Sequence, residues 1–282
     1  MRQIGKYHVQ LIDAGRYRLD GGAMFGVVPR TLWEKKNPPD ELNRILLALN
    51  TLLLTRDDRI IMIDSGVGTK FTEKFQMMYA VDNSEYSLIS SLKAENIFPE
   101  DVTDVIITHL HFDHAGGTTY SDEMGNVKLQ FPNATHYIQK RQLEWALKGF
   151  ARDRASYISD NINPHLKSNK LRILDGPEKI FENIEIIISD GHTIAQQLLL
   201  VKGKNENLLY AADLLPMSSH IPLPWVMAYD LYPVTTIQEK ENILRRAVDE
   251  EWFVFFEHDP EVSCGIIGQD HNKFILKSPV KL

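Results

Sequence analysis

Four residues able to bind a metal fall within six positions of the run THLHFDHAGG, residues 108–117: His109, His111, Asp113 and His114. A divalent ion of the zinc type takes imidazole nitrogens and carboxylate oxygens, and a catalytic site keeps one position open for water or substrate. Three histidines in so short a stretch, beside Gly116 and Gly117, are far from what a solvated surface loop contains. His192, Asp213 and His258 stand alone downstream as further candidates. Seven nitrogen and oxygen donors suffice for two ions.

The spacing also says what must position them. Helical ligands meet at i and i+4, as in H-E-x-x-H, so H-x-H-x-D-H suits a strand that ends and turns. The run Val105-Ile106-Ile107 leads into the motif and two glycines follow it. The isolated candidates repeat the pattern. His192 follows Ile184–Ile188, Asp213 follows Leu208–Ala212 and His258 follows Trp252–Phe256. Asp64 follows Arg59–Ile63 and precedes Ser65-Gly66. Five strand ends would thus offer polar groups to one edge, where sites on layered α/β folds gather. Taken singly, His192 and Asp213 read equally as turn residues, His258 as a solvated turn before Pro260, and Asp64 as a turn former. His8, His136, His165, His220 and His271 are expected at the surface or in packing.

On His109-x-His111-x-Asp113-His114, Gly191-His192, Asp213, His258 and Ile63-Asp64-Ser65-Gly66, the chain resembles the metallo-β-lactamase superfamily over nearly its whole length. The resemblance implies a four-layer αββα sandwich in the α/β class. It assigns His109, His111 and His192 to a first ion and Asp113, His114 and His258 to a second, with Asp213 bridging. Asp64 would orient a ligand rather than bind metal. Zinc is the first expectation, with iron, manganese or cobalt able to use the same donors.

Two such ions lower the pKa of a shared water toward neutrality and polarise the substrate oxygen. Asp113 or Asp213 would accept or relay the proton. Within the superfamily, antibiotic-hydrolysing members place cysteine or a different spacing where Asp213 stands. Oxygen-reducing diiron relatives carry glutamate where His111 stands. RNA-processing relatives need a basic arm that this chain does not show.

What remains resembles the lactonase and organophosphate-hydrolase branch, on the segment from Asp20 to Gly26, on Phe131-Pro132-Asn133-Ala134 before a helix, and on a helical insert before His192. Met24 and Phe25 would then wall the pocket, with Trp33, Phe71, His220 and Trp225 as looser candidates. Two departures stand out. Pro216 occupies the place of a tyrosine that helps the best-known lactonases hold the substrate carbonyl, and Gly191–Gln196 alters the usual G-H-T-P-G-H stretch.

A chain of 282 residues with 43% hydrophobic content can bury a sizeable core, and residues 1–282 read as one domain. The net charge of −7 disfavours a large polyanion as substrate. No apolar leader or membrane span is read, so a cytoplasmic location is expected, and the lone Cys264 excludes an intramolecular disulfide. The coarse order predicts strands over 7–28 and 45–63 and a helix near 84–96 with Leu88, Ile89 and Leu92 inward. Mostly helix is predicted over 139–169, broken near Pro164. A helix opening on the capping box Thr236–Glu239 is predicted to run to about Glu251. Residues 214–232, rich in Pro, Trp, Met and Tyr, read as a long loop.

These observations together predict a dinuclear metal hydrolase of small carboxylic esters or lactones, with phosphotriesters possible, working without nucleic acid or membrane and allowing a homodimer. Two alternatives stay open. One is a glyoxalase II-like thioesterase; the other is a non-catalytic metal-binding or sensory protein on the same fold.

Overall fold

The computed structural model describes residues 1–282 as a mixed α/β protein that divides into two compact units. The first unit comprises residues 1–3, 7–16 and 49–176, and the second comprises 4–6, 17–48 and 177–282.

Nine strands precede residue 176. They are β1 (Arg2–Ile4), β2 (Tyr7–Asp20), β3 (Arg44–Arg56), β4 (Arg59–Ile63), β5 (Asp104–Ile106), β6 (Thr119–Ser121), β7 (Val127–Leu129), β8 (Thr135–Gln139) and β9 (Leu171–Leu174). Seven form a sheet in the order β1-β2-β3-β4-β5-β8-β9, and β6 pairs with β7. The pairs β4/β5, β5/β8 and β8/β9 are parallel. Parallel neighbours need crossovers, and buried parallel strands read as continuous apolar runs. Ile61, Met62, Ile63, Val105 and Ile106 are accordingly all buried. Because β4 and β5 run the same way, Asp64 and His109 leave the same end of this sheet.

The second unit carries β10 (Ile184–Ser189), β11 (Gln196–Lys202), β12 (Asn207–Tyr210), β13 (Phe253–Phe255), β14 (Cys264–Asp270) and β15 (Lys273–Pro279), paired in chain order. β11 is antiparallel to both β10 and β12, and β12 is parallel to β13. β10, β12 and β13 therefore point the same way, and the residues after them, including His192, Asp213 and His258, leave one end of the sheet.

Eight α-helices connect these strands: α1 (Gly21–Phe25), α2 (Arg30–Trp33), α3 (Glu73–Tyr79), α4 (Leu88–Ala94), α5 (Phe112–Ala115), α6 (Lys140–Lys148), α7 (Ser159–Lys167) and α8 (Pro233–Asp249). Helix α8 supplies the crossover from β12 to β13 and buries Ile243, Leu244 and Ala247. No helix is long and apolar enough to cross a membrane.

Several local expectations are corrected. Strand β2 stops at Asp20, whose side chain accepts from Ala23 N and caps α1, so residues 21–25 are helical rather than extended. In α4, Leu88 and Leu92 are buried but Ile89 is exposed. The break in 139–169 falls at Gly149, left-handed after α6, while Pro164 lies inside α7. Phe131–Ala134 precedes strand β8, not a helix. Helix α8 begins at Pro233, because proline's fixed φ suits a first helical position, and Thr236 already lies inside it.

Candidate metal centre

In the first unit the motif begins where β5 ends. His111 caps α5, a single turn that carries Asp113 and His114, so the last two donors sit on a helical turn rather than in an open loop. Gly116 and Gly117 serve close approach rather than turning freedom. A Cβ on Gly116 would stand 2.1 Å from Val67 O, and one on Gly117 2.2 Å from Ser65 O. The motif is thereby pressed onto the backbone that follows Asp64, and Ser65 N donates to His114 O at 2.9 Å.

Asp64 is fully buried and adopts a left-handed φ of 58°. Aspartate tolerates that region better than most residues do. Its Oδ1 accepts Thr108 N at 2.7 Å, and its Oδ2 accepts the Thr108 hydroxyl at 2.7 Å and His114 Nδ1 at 3.1 Å. With its proton committed to Asp64, Thr108 Oγ1 is an acceptor for His109 Nδ1, 3.1 Å away. One carboxylate thus orients two imidazoles, one directly and one through a threonine. Both keep Nδ1 protonated and present Nε2 as a lone pair. His109 Nε2 faces His111 Nδ1 at 3.0 Å.

The second unit gathers its three donors from three strand ends. His192 Nε2 lies 3.0 Å from Asp213 Oδ2, and His258 Nε2 lies 3.2 Å from Asp213 Oδ1. Both imidazoles are fixed from behind. His192 Nδ1 donates to Asp230 Oδ1 at 2.9 Å, and His258 Nδ1 donates to Ala48 O at 2.9 Å. With both Nδ1 atoms committed, each Nε2 points at a carboxylate oxygen, a contact that is favourable only when a proton or a metal cation stands between them. Burial disfavours charge on His192, but Asp213 and Asp230 overcome it and raise its pKa to about 9. A metal at this position would displace a proton, and the donors fit one.

Sequence reasoning missed two supporting groups here. Asp230, 38 residues beyond His192, carries no spacing signal. Glu239 was read as half of a capping box. Its carboxylate instead accepts Ser189 Oγ at 2.7 Å, Asp190 N at 2.9 Å and Gly191 N at 3.1 Å, clamping the turn before His192. Gly191 is required because a Cβ there would meet Thr236 N at 2.5 Å.

The apolar candidates fall into two groups. Met24, Phe25, Trp33 and His220 are buried together in the second unit. Phe25 stacks on Trp33 and on His220 with centroids 5.4 and 4.8 Å away, and meets Trp225 edge-on. His220 is thus an interior residue. Its Nε2 donates to Met24 O at 2.8 Å, and burial lowers its pKa to about 3. Phe71, in the first unit, stacks at 4.4 Å on Phe75, which meets Phe112 of the metal motif edge-on.

Comparison with known proteins places this geometry. Residues 45–258 match the family model described as the metallo-beta-lactamase superfamily. An N-acyl homoserine lactonase of Bacillus cereus is 24% identical over 266 residues, covering 90% of this chain and 94% of that protein. A probable metal-dependent hydrolase from Staphylococcus aureus superposes with a TM-score of 0.86 at 28% identity, over 99% of this chain and all of the other. AidC, a dizinc quorum-quenching lactonase, superposes with a TM-score of 0.80 at 22% identity, over 100% and 97% of the two chains. The α/β fold is the one these proteins share, and the relatives named are lactonases and a metal-dependent hydrolase.

Proposed function

Because the chain belongs to the metallo-beta-lactamase superfamily, we propose that it is a dinuclear metal hydrolase that opens small carboxylic esters or lactones, with phosphotriesters as a secondary class. His109, His111 and His192 would hold one ion, Asp113, His114 and His258 the other, and Asp213 would span both. Nitrogen and oxygen donors of this mix suit zinc, although iron, manganese and cobalt accept the same set. We further propose that residues 1–282 act as one domain.

The observation that carries the reading is the carboxylate of Asp213, each of whose oxygens faces an imidazole Nε2 while both Nδ1 atoms are already committed to oxygen acceptors. When bound, the ions supply Lewis acidity toward the substrate oxygen and make water acidic enough to attack at neutral pH. The remaining work falls to the chain. Asp64 and Asp230 keep the imidazoles in the tautomer that binds metal. Asp113 and Asp213 are the carboxylates able to accept the proton released when water attacks. Phe71 and Trp225, half-buried, would supply apolar surface for the substrate, with Met24, Phe25, Trp33 and His220 packed in the interior behind Trp225. A lactone or ester with a hydrocarbon chain fits such surface better than a highly charged molecule. The lactonase relatives support the same substrate class.

The test is elemental analysis of the purified protein with hydrolysis of lactones, aryl esters, a phosphotriester and S-lactoylglutathione. The expected outcome is close to two metals per chain, with lactone or ester turnover abolished by chelator and restored by zinc. Absence of both metal and turnover would overturn the proposal, and preference for S-lactoylglutathione would replace it with a thioesterase.

A further inference from the structure

Helix α8 contains a lysine, Lys240, whose side chain is fully buried. Lysine almost never reaches that state unless its charge is matched. Its Nζ makes no ion pair but donates to three backbone carbonyls, His220 O at 3.0 Å, Pro222 O at 3.1 Å and Trp225 O at 2.8 Å. An ammonium has three donors and no acceptor. Donors and acceptors therefore match one to one in the charged form, whereas a neutral amine, with two N–H groups, would have to release one of the three carbonyls. Burial lowers the pKa to about 7, and the neighbouring charge of Asp230 opposes the shift.

All three carbonyls come from the 214–232 segment, and two belong to His220 and Trp225, the residues whose rings pack on Phe25. The same segment is tied to α1 by Ala228 N donating to Ala23 O at 2.8 Å and by His220 Nε2 donating to Met24 O. Between residues 220 and 225 the chain has little regular structure: Trp225 N donates to Pro222 O at 2.9 Å to close one turn, and Lys240 draws the three carbonyls to one point.

We propose that Lys240 is a positioning residue for substrate choice, its ammonium holding residues 220–225 in the one arrangement that sets His220 and Trp225 against Phe25. This rests on the hydrolase reading for its substrate, but the positioning itself does not. Lys240 touches neither substrate nor metal donor. Its loss leaves the metal-binding groups in place while the apolar wall loosens, which removes binding energy common to ground and transition states and so raises KM rather than lowering kcat.

The experiment compares wild type, Lys240→Met and the control Leu244→Ala, which opens a cavity on the same helix without touching the loop carbonyls. For Lys240→Met, the KM ratio between a long-chain and a short-chain lactone is expected to change by about tenfold, with kcat within about threefold of wild type. With zinc at saturating concentration metal content should be unchanged, and deuterium uptake should rise in peptides covering 217–226 but not 233–249. Leu244→Ala should lower Tm and leave that ratio alone. The proposal is overturned if both variants shift the ratio equally, or if Lys240→Met changes neither ratio nor uptake. If Lys240→Met does not fold, Lys240→Gln, which keeps two N–H donors, takes its place: the same changes in ratio and uptake support the proposal, and neither change overturns it. If the wild type hydrolyses no lactone or ester, the hydrolase reading has failed and the exchange data alone judge Lys240.

Discussion

The two sets of metal-binding groups are built on opposite plans. In the first unit, four donors lie within six residues, and backbone packing and one carboxylate hold them, with Gly116 and Gly117 against residues 65–67 and Asp64 reaching two imidazoles. In the second unit, three donors come from three strand ends and each has its own support: Asp230 behind His192, Ala48 O behind His258, and Asp213 between them. A local motif concentrates its supports, so one change there should damage several donors. A dispersed set isolates its members, so damage should stay with one, except at Asp213, where the set converges.

That contrast is open to direct attack. The largest effect should come from Asp213→Ala, which removes the oxygens facing both His192 and His258. We expect kcat to fall on the order of a thousandfold, with metal content clearly below that of wild type. Unchanged turnover in a folded, metal-loaded variant would end the dinuclear reading.

Asp64→Asn comes next. An amide cannot accept all three donors, and the replacement is expected to cost roughly 10–100-fold in metal affinity or activity, spread over both ions because His109 and His114 are assigned to different ones. Asp230→Asn should cost no more than this and should weaken only the ion assigned to His192. Stepwise metal titration separates the two, and equal patterns would erase the proposed difference between the plans.

The last test leaves activity aside and concerns the folding of metal-free protein as pH changes. His136 and His165 pack with centroids 4.6 Å apart in the first unit, and His165 Nε2 meets the Thr118 hydroxyl at 2.9 Å, which itself donates to Ala115 O just after the motif. Burial lowers the His136 pKa from its ordinary 6.5 to about 4. The unfolded chain therefore takes up a proton that the folded one refuses, and stability falls as pH drops from 6.5 toward 4, by about 3 kcal/mol in all. His192 has the opposite sign. Its raised pKa contributes stability that is fully present below 6.5 and is lost as pH rises through about 9. Acid should act on the first unit through His136 and on the second through His220, whose pKa burial lowers to about 3, while alkali acts on the second through His192. Urea unfolding of wild type and His136→Leu across pH 4–7 checks the first half, since the variant should lose that part of the slope.

How much of this was legible in the sequence follows from the same contrast. The cluster from His109 to His114 announced itself because ligand types rarely crowd into so few positions. The strand ends before Asp64, His192, Asp213 and His258 were readable as apolar runs that stop at polar residues, and the structure has a strand before each. The outer supports were not readable. Asp230 reaches His192 from a loop whose path depends on tertiary packing, and nothing in its neighbours marks it. Glu239 gave a misleading local signal, since Thr236–Glu239 satisfies the capping pattern while Pro233 starts the helix and the glutamate serves a distant turn. For His220 the sequence left surface and packing open, because burial of a loop cannot be inferred from its composition, and the structure has it packed. The glycines were recognised, but for turning freedom rather than for the backbone contact that requires them.

The carboxylate of Asp230 has one consequence beyond orienting a ligand. Its Oδ1 takes His192 Nδ1 while its Oδ2 takes Met227 N at 3.1 Å, so a single rigid group is anchored to an imidazole on one side and to the 214–232 segment on the other. Two equilibria that share such a group are thermodynamically linked, and the linkage is reciprocal. Loading of the ion at His192 should order the segment, and a substrate that settles the segment should tighten the ion by the same factor. Metal affinity in this protein is then a property measured with a substrate or product in the tube, and the value obtained without one is its lower limit.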